Sequence, residues 1–242
     1  MRSSSITQRP SISMPLESPS AVLFDMDGTL LDSEPLWLIA ETKTMQAMGS
    51  DWDQNDQEHC LGGPVVRVVA HMRSKLGAAA AEQFDSTWVE DYLMAQVLEQ
   101  YGLGDIPWMP GARDLVASAR ALELPLALVT NSPRAIVEGA HRGIVADLGY
   151  DPFGVLVVGD EVGKPKPHPE PFQTAAKRLR ATPSDCLAVE DSPTGVLAAI
   201  EAGCQVVAIE HLTPLTQFAA ASRIKSLAGH SFESLWKLAT SK

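Results

Sequence analysis

No apolar run in this sequence approaches the roughly 20 residues that a membrane-spanning helix needs, so no span is expected, and the excess of acidic side chains makes an anionic membrane surface an unfavourable partner. Cysteine is sparse as well. Cys60, Cys186 and Cys204 are an odd number without close pairing, giving neither a disulfide framework nor a zinc pattern, and they fit a reduced, cytoplasmic compartment. Positive charge is scarce: 19 Lys and Arg against 30 Asp and Glu leave a net charge of −11, so a nucleic-acid backbone would be repelled on average. The signatures of nucleotide enzymes are also missing. No Gly-x-Gly-x-x-Gly follows a strand, and Gly159 to Gly163-Lys164 leaves three intervening residues where a P-loop needs four, with Pro165 standing where Ser or Thr is required. Residues 1–19 hold six serines, three prolines and two arginines without a continuous apolar core, so they read as a loose tail and not as a secretory signal. Whether translation starts at Met1 or Met14 is left open.

What is present is ample apolar content, 45% of 242 residues, enough for one large domain or a domain with a smaller companion. The stretch that organises the rest is Val22 to Leu31. A run of strand formers ends in Asp25 and Asp27, one residue apart, followed by Gly28, where the backbone can turn. An Asp-Gly turn alone is common and needs no metal. In a parallel α/β sheet, however, this end of a strand is where ligands bind, and two acids there suit a hard cation such as Mg²⁺. A helix-loop-helix calcium site fails, because counting from Asp25 puts Leu30 at its glycine position and Leu36 at its glutamate position.

Past Leu31-Asp32-Ser33-Glu34-Pro35, which reads as a joint, the period becomes helical. Trp37, Ala40, Thr44 and Met48, then Val65, Val68, Met72 and Leu76, then Val89, Leu93 and Val97 recur at helical spacing. Nothing from 35 to 103 reads as a strand, so residues 35–105 are expected to form a helical cap, inserted into an α/β core of 20–34 and 106–242. After Pro110-Gly111, helices from 112, 133, 170 and 193 alternate with apolar runs at 126–130, 155–158, 187–189 and 206–209. Near-continuous apolar runs between helices predict a doubly wound α/β fold with a parallel sheet. Residues 231–239 are expected to close the chain with a helix, and 211–230 carry no clear pattern. No coiled-coil pattern is visible, which favours a monomer.

Polar residues gather at the ends of these runs. Thr130-Asn131-Ser132 supplies a hydroxyl, an amide and exposed N–H groups ahead of a helix N-terminus, an arrangement equally consistent with an anion site and a plain helix cap. Glu190-Asp191-Ser192-Pro193 is a second acidic pair at a strand end, and two strands delivering acids to one edge point to a shared divalent-metal site. Between them, prolines flank both Lys164 and Lys166 and stiffen their loop.

Asp-Met-Asp-Gly-Thr (25–29), Thr-Asn-Ser (130–132), Lys-Pro-His-Pro-Glu (166–170) and Glu-Asp-Ser-Pro-x-Gly (190–195) resemble the four ordered motifs of the haloacid dehalogenase-type phosphatases. The helical insert is similar to that of the subgroup containing phosphoglycolate phosphatases, sugar phosphatases and beta-phosphoglucomutases. The resemblance implies Asp25 as nucleophile, forming an aspartyl-phosphate, and Asp27 as general acid and later base. It implies Mg²⁺ held by Asp25, the Asp27 backbone carbonyl and Asp191, with Glu190 acting through water. It further implies a phosphoryl group held by Thr130, Asn131 and a lysine, Lys166 in the register that keeps Glu170 at the family's acidic position. Asp27 argues against the namesake dehalogenases, which usually lack it. Glu34, Arg67 and His71 are candidate cap contacts to a small phosphorylated metabolite. The expected activity is hydrolysis of a sugar phosphate or phosphoglycolate; the alternatives are a phosphomutase sharing the intermediate, or a ligand-binding protein on the same scaffold. The sparse bases between 35 and 105, Lys43, Arg67, Arg73 and Lys75, favour hydrolysis over a mutase, which needs a second cationic pocket.

Overall fold

The first strand, β1 (Ala21–Phe24), is buried along its whole length on both faces, which is why it is apolar at every position instead of alternating. It sits in the middle of a parallel sheet. In the computed structural model, which describes residues 17–60, 65–211 and 213–241, β1 is followed by helices α1 (Glu34–Ala47), α2 (Gln54–Cys60), α3 (Val65–Ser74), α4 (Ala78–Gln83), α5 (Ser86–Leu103) and α6 (Ala112–Ala121). The chain then alternates through β2 (Leu126–Val129), α7 (Arg134–Leu148), β3 (Val155–Val157), α8 (Glu170–Arg178), β4 (Cys186–Glu190), α9 (Pro193–Glu201), β5 (Gln205–Ile209), β6 (Ser222–Ile224) and α10 (Phe232–Thr240). Met14 and most of the expected tail lie outside the described residues.

Among those residues the sheet has six strands in the order β3-β2-β1-β4-β5-β6, all parallel. The fold is therefore doubly wound α/β, as the sequence predicts. Alternate strand residues face opposite layers. Val22 and Phe24 of β1, Leu126 and Leu128 of β2, and Leu187 and Val189 of β4 join a core with Leu115, Ile136, Phe232 and Trp236. Leu23, Ala127 and Ala188 pack on the other side against Phe172, Ala175 and Val196 of α8 and α9. The small strand residues on that second face let the helices lie close.

Helices α1 to α5 leave and rejoin the sheet through two segments that run side by side. The Asp32 N–H donates to the Pro107 carbonyl at 2.8 Å, the Met109 N–H donates to the Leu30 carbonyl at 2.8 Å, and Leu31 bridges to Trp108. α5 packs along both α1 and α7, joining these helices to the sheet layer. The unpatterned stretch 211–230 contains β6, whose Ser-Arg-Ile sequence is only partly buried at the sheet edge and so shows no apolar run. The three thiols are free and buried. No described helix is long and apolar enough to cross a membrane.

Candidate active site

β1, β2 and β4 end next to one another, because β1 pairs with the other two in near-perfect step. Asp25 follows β1, and its N–H donates to the Val189 carbonyl at 3.0 Å, which sets it beside Glu190, the last residue of β4. Lys166 reaches between the two. Its Nζ donates to Asp25 Oδ1 at 2.6 Å, to the Val129 carbonyl at 2.7 Å and to Glu190 Oε1. The loop carrying it is clamped by Asn131, whose Nδ2 donates to the Lys166 carbonyl at 3.0 Å while its Oδ1 accepts from the Lys166 N–H at 2.9 Å. Lys164 is exposed, and Glu170 accepts the Gly163 N–H at 2.8 Å at the loop's base.

Glu190 is fully buried. Its Oε2 accepts from the Asp191 N–H at 3.1 Å, the Ser192 N–H at 3.2 Å and Ser192 Oγ at 3.0 Å, while Ser192 Oγ caps α9 by accepting from the Gly195 N–H at 3.0 Å. A Cβ at Gly195 would lie 1.8 Å from Glu190 Oε1, so this close turn admits only glycine. Gly28 has the same constraint twice over: its φ is +78°, and a Cβ there would lie 2.2 Å from Asp191 Oδ2. The glycines of the first and last motifs thus make room for the acids.

The charge balance is uneven. Burial holds the Asp25 carboxyl well above its ordinary value, with repulsion from Glu190 and Asp191 adding to this and Lys166 opposing it. Asp191 is pushed up to about 7 by burial and by Glu190, against the Thr29 hydroxyl that donates to it at 3.1 Å. Burial disfavours the Lys166 ammonium, but the Asp25 and Glu190 carboxylates outweigh that and hold it charged. Asp25, Glu190 and Asp191 each offer an oxygen within 4.8 Å of the others. This donor set, all carboxylate, fits a hard divalent cation in charge and in chemistry.

Asp27 is held by two donors, the Tyr101 phenol to Oδ1 at 2.5 Å and Ser132 Oγ to Oδ2 at 2.9 Å. Thr130 is buried, and its Oγ1 accepts from the Ser132 N–H at 3.0 Å. Asp27 and Asp191 form one wall of a cavity of about 270 Å³, and Glu34, Trp37, Glu41 and Gln57 form part of the facing wall. Glu34 is pushed up to about 7 by burial and by Asp32 and Asp27. Glu41 is pushed up to about 7 by burial, although it accepts from Trp52 Nε1 at 2.9 Å. No lysine or arginine is among the described residues lining this cavity.

The sheet edge thus gathers Asp25, Asp27, Thr130, Asn131, Lys166, Glu190 and Asp191. Of the three candidate contacts on the helices, Glu34 lines the cavity. Arg67 donates to the Cys60 carbonyl at 2.8 Å, and His71 bonds Asp56 at 2.9 Å and lies against the His59 ring; neither is among the described lining residues. Sequence reasoning passed over Tyr101 and Glu41, and it quoted Ser132 within its motif without giving it a role. Glu41 falls seven residues after Glu34, two turns along the same helix face, and that spacing was a usable signal. Tyr101 lies 74 positions from Asp27, and nothing local marks it.

A model of the haloacid dehalogenase-like hydrolases matches residues 19–203 of this chain. The CbbY protein of Rhodobacter capsulatus is 32% identical over 202 residues, which cover 80% of this chain and 85% of that protein. The bifunctional riboflavin kinase/FMN phosphatase of Arabidopsis thaliana is 31% identical over 81% of this chain, which spans only 50% of that longer relative. Among solved structures, CbbY from Rhodobacter sphaeroides in complex with phosphate superposes with a TM-score of 0.68 at 26% identity, over 90% of this chain and 99% of that one.

Proposed function

Because this chain belongs to the haloacid dehalogenase-like hydrolases and is a phosphoric monoester hydrolase, we propose that it releases phosphate from a small sugar or polyol phosphate in two steps through Asp25. In the first, an Asp25 carboxylate oxygen attacks phosphorus, the ester P–O bond breaks, and the proton of the Asp27 carboxyl passes to the departing alcohol oxygen. In the second, water attacks the same phosphorus, Asp27 takes its proton, and phosphate leaves as Asp25 is restored.

The observation that carries this reading is the pairing with Lys166, at 2.6 Å, of Asp25, which stands two residues before the cavity-lining Asp27. A carboxylate about 3.5 Å from a phosphate charge meets roughly 5 kcal/mol of repulsion at an effective dielectric of about 20. Lys166 offsets part of it, and the Thr130 hydroxyl and Asn131 N–H are placed in the reading as donors to the phosphoryl oxygens. Asp25, Asp191 and the Asp27 carbonyl would hold Mg²⁺, with Glu190 behind them. When bound, that ion supplies positive charge to a site whose carboxylates outnumber its single buried ammonium.

Helices α1 to α5 act in this reading as the cap over residues 35–105, and their acidic wall favours a leaving group that is uncharged and rich in hydroxyls. A carboxylate, as in phosphoglycolate, or a second phosphate would face Glu34 and Glu41 without a cation among the described lining residues. The same wall supports hydrolysis over a mutase. Free buried thiols support a reducing, cytoplasmic setting. Phosphate release from a panel of polyol, sugar and acid phosphates, with Mg²⁺ and with chelator, tests the proposal: Mg²⁺-dependent release from polyol or sugar phosphates is expected. Chelator-insensitive turnover would overturn the metal assignment. An isomeric sugar phosphate accumulating without free phosphate would overturn hydrolysis.

A further inference from the structure

The general acid proposed above is reached from two separate elements. Ser132 comes from the turn between β2 and α7, whereas Tyr101 comes from the last turn of α5, far from the motifs in sequence. The two contacts are not equivalent. A serine hydroxyl can turn to donate or accept, whereas the phenol of Tyr101, with an ordinary pKa of about 10, remains a donor near neutral pH. One oxygen of Asp27 therefore always faces a donor, and the other faces a group that can accommodate either protonation state.

We propose that Tyr101 is a positioning residue for Asp27, its phenol occupying Oδ1 so that the proton delivered to the leaving oxygen is carried on Oδ2. This rests on the acid role assigned to Asp27. As the ester P–O bond breaks, its electron pair takes the Oδ2 proton and Asp27 is left as carboxylate; when water attacks, its proton returns to Oδ2. Tyr101 keeps its own proton throughout. Without the phenol, the Asp27 carboxyl is free to rotate about its last bond and to present either oxygen, which dilutes the reactive geometry.

The backbone anchors this arrangement. A Cβ at Gly139 would lie 2.4 Å from the Tyr101 carbonyl oxygen, and one at Gly143 would lie 2.1 Å from that of Gly104, so the end of α5 meets α7 backbone against backbone. Tyr101 itself is 1% exposed. It is thus fixed to the sheet layer through α7, and its hydroxyl is held against Asp27 Oδ1.

The test compares kcat/KM, which reports steps up to departure of the alcohol, for two leaving groups. One substrate is the best alkyl phosphate of the panel, whose alkoxide needs a proton; the other is p-nitrophenyl phosphate, whose phenolate leaves without one. Y101F is expected to lower kcat/KM about 10-fold for the alkyl phosphate and less than about 3-fold for the aryl phosphate, a fraction of the roughly 10²–10⁴ that general acid catalysis supplies. In a D27N background, Y101F should change the alkyl rate by less than about 2-fold, because the partner it acts through is gone. The aryl rate doubles as the check that Y101F is folded. Equal losses on both substrates, or none on either, would overturn the role of Tyr101 while D27N still discriminates between them. D27N losing equally on both would overturn the acid assignment, and the proposal with it.

Discussion

The two walls of the cavity are made from different material. On the sheet side Asp27 and Asp191 line the cavity, and the neighbouring Asp25, Glu190 and Lys166 are each tied to backbone: the Val189 carbonyl accepts the Asp25 N–H, a turn of N–H groups donates to Glu190, and the Val129 carbonyl accepts from Lys166 Nζ. On the helix side, Glu34 and Glu41 project from one face of α1, and Glu41 is steadied by a side chain, Trp52. Substituting a residue on the first wall disturbs geometry that the sheet itself maintains. Substituting one on the second changes what the cavity presents and leaves the strand ends alone. The reaction should therefore be sensitive to the sheet wall in kcat, and the choice of substrate to the helix wall in KM.

The strongest way to break that contrast is Asp25→Asn. It should lower kcat by at least about 10³-fold, the scale on which removal of a nucleophile acts, while the fold stays intact, since Glu190 still pairs the buried Lys166 ammonium. Retention of more than a small fraction of activity would refute covalent catalysis at Asp25. Next is Lys166→Ala, expected to cost about 10²-fold in kcat through lost charge stabilisation. It should also cost roughly 3 kcal/mol of stability in denaturant melts, because two buried carboxylates lose their counter-ion. Exposed Lys164→Ala should stay within about 2-fold of the parent activity. A larger loss at Lys164 would reverse the register chosen for the lysine loop.

Much of the sheet wall could be read from sequence because parallel strands buried on both faces must be apolar throughout, and their polar ends then stand out. The runs at 126–130 and 187–189 fall within a residue of β2 and β4. β6 was invisible for the complementary reason: an edge strand of Ser, Arg and Ile needs no apolar run. Short helices such as Gln54–Cys60, nearly all polar, carry no period either. The order of the motifs brought seven site residues to one edge on paper, and all seven lie there. Tyr101 could not be found that way, since its contact depends on how α5 crosses α7 and not on any residue near Asp27.

Substitutions on the helix wall sharpen the comparison from its other side. Glu34→Gln and Glu41→Gln remove negative charge from the cavity while keeping side-chain size. Each should improve KM for phosphoglycolate relative to a polyol phosphate by about 5–10-fold, near the 1.4 kcal/mol that corresponds to a tenfold change. With kcat on p-nitrophenyl phosphate moving by less than about 3-fold, the effect would lie in recognition. Unchanged selectivity in both variants, measured over the same panel, would remove the helix wall from substrate choice.

The smallest effect concerns stability alone, and its sign follows from the titration of one carboxyl. Glu41 titrates at about 7 in the folded chain against 4.5 for the unperturbed group, chiefly because it is buried. Between these values the folded state binds more protons than the unfolded one, so stability falls as pH rises. The deficit begins to develop near 4.5, and its full extent is reached above about 7. Glu41→Gln cannot ionise, yet its amide oxygen can still accept from Trp52 Nε1. The variant should therefore be more stable than the parent at pH 8 by about 2 kcal/mol, within the ceiling of about 1.4 kcal/mol for each pH unit between the folded and unfolded titration points, and nearly equal to it at pH 4.5. Urea melts at the two pH values read this directly: a variant equally stabilised or destabilised at both would show that the Glu41 charge is not what the helix wall pays to keep.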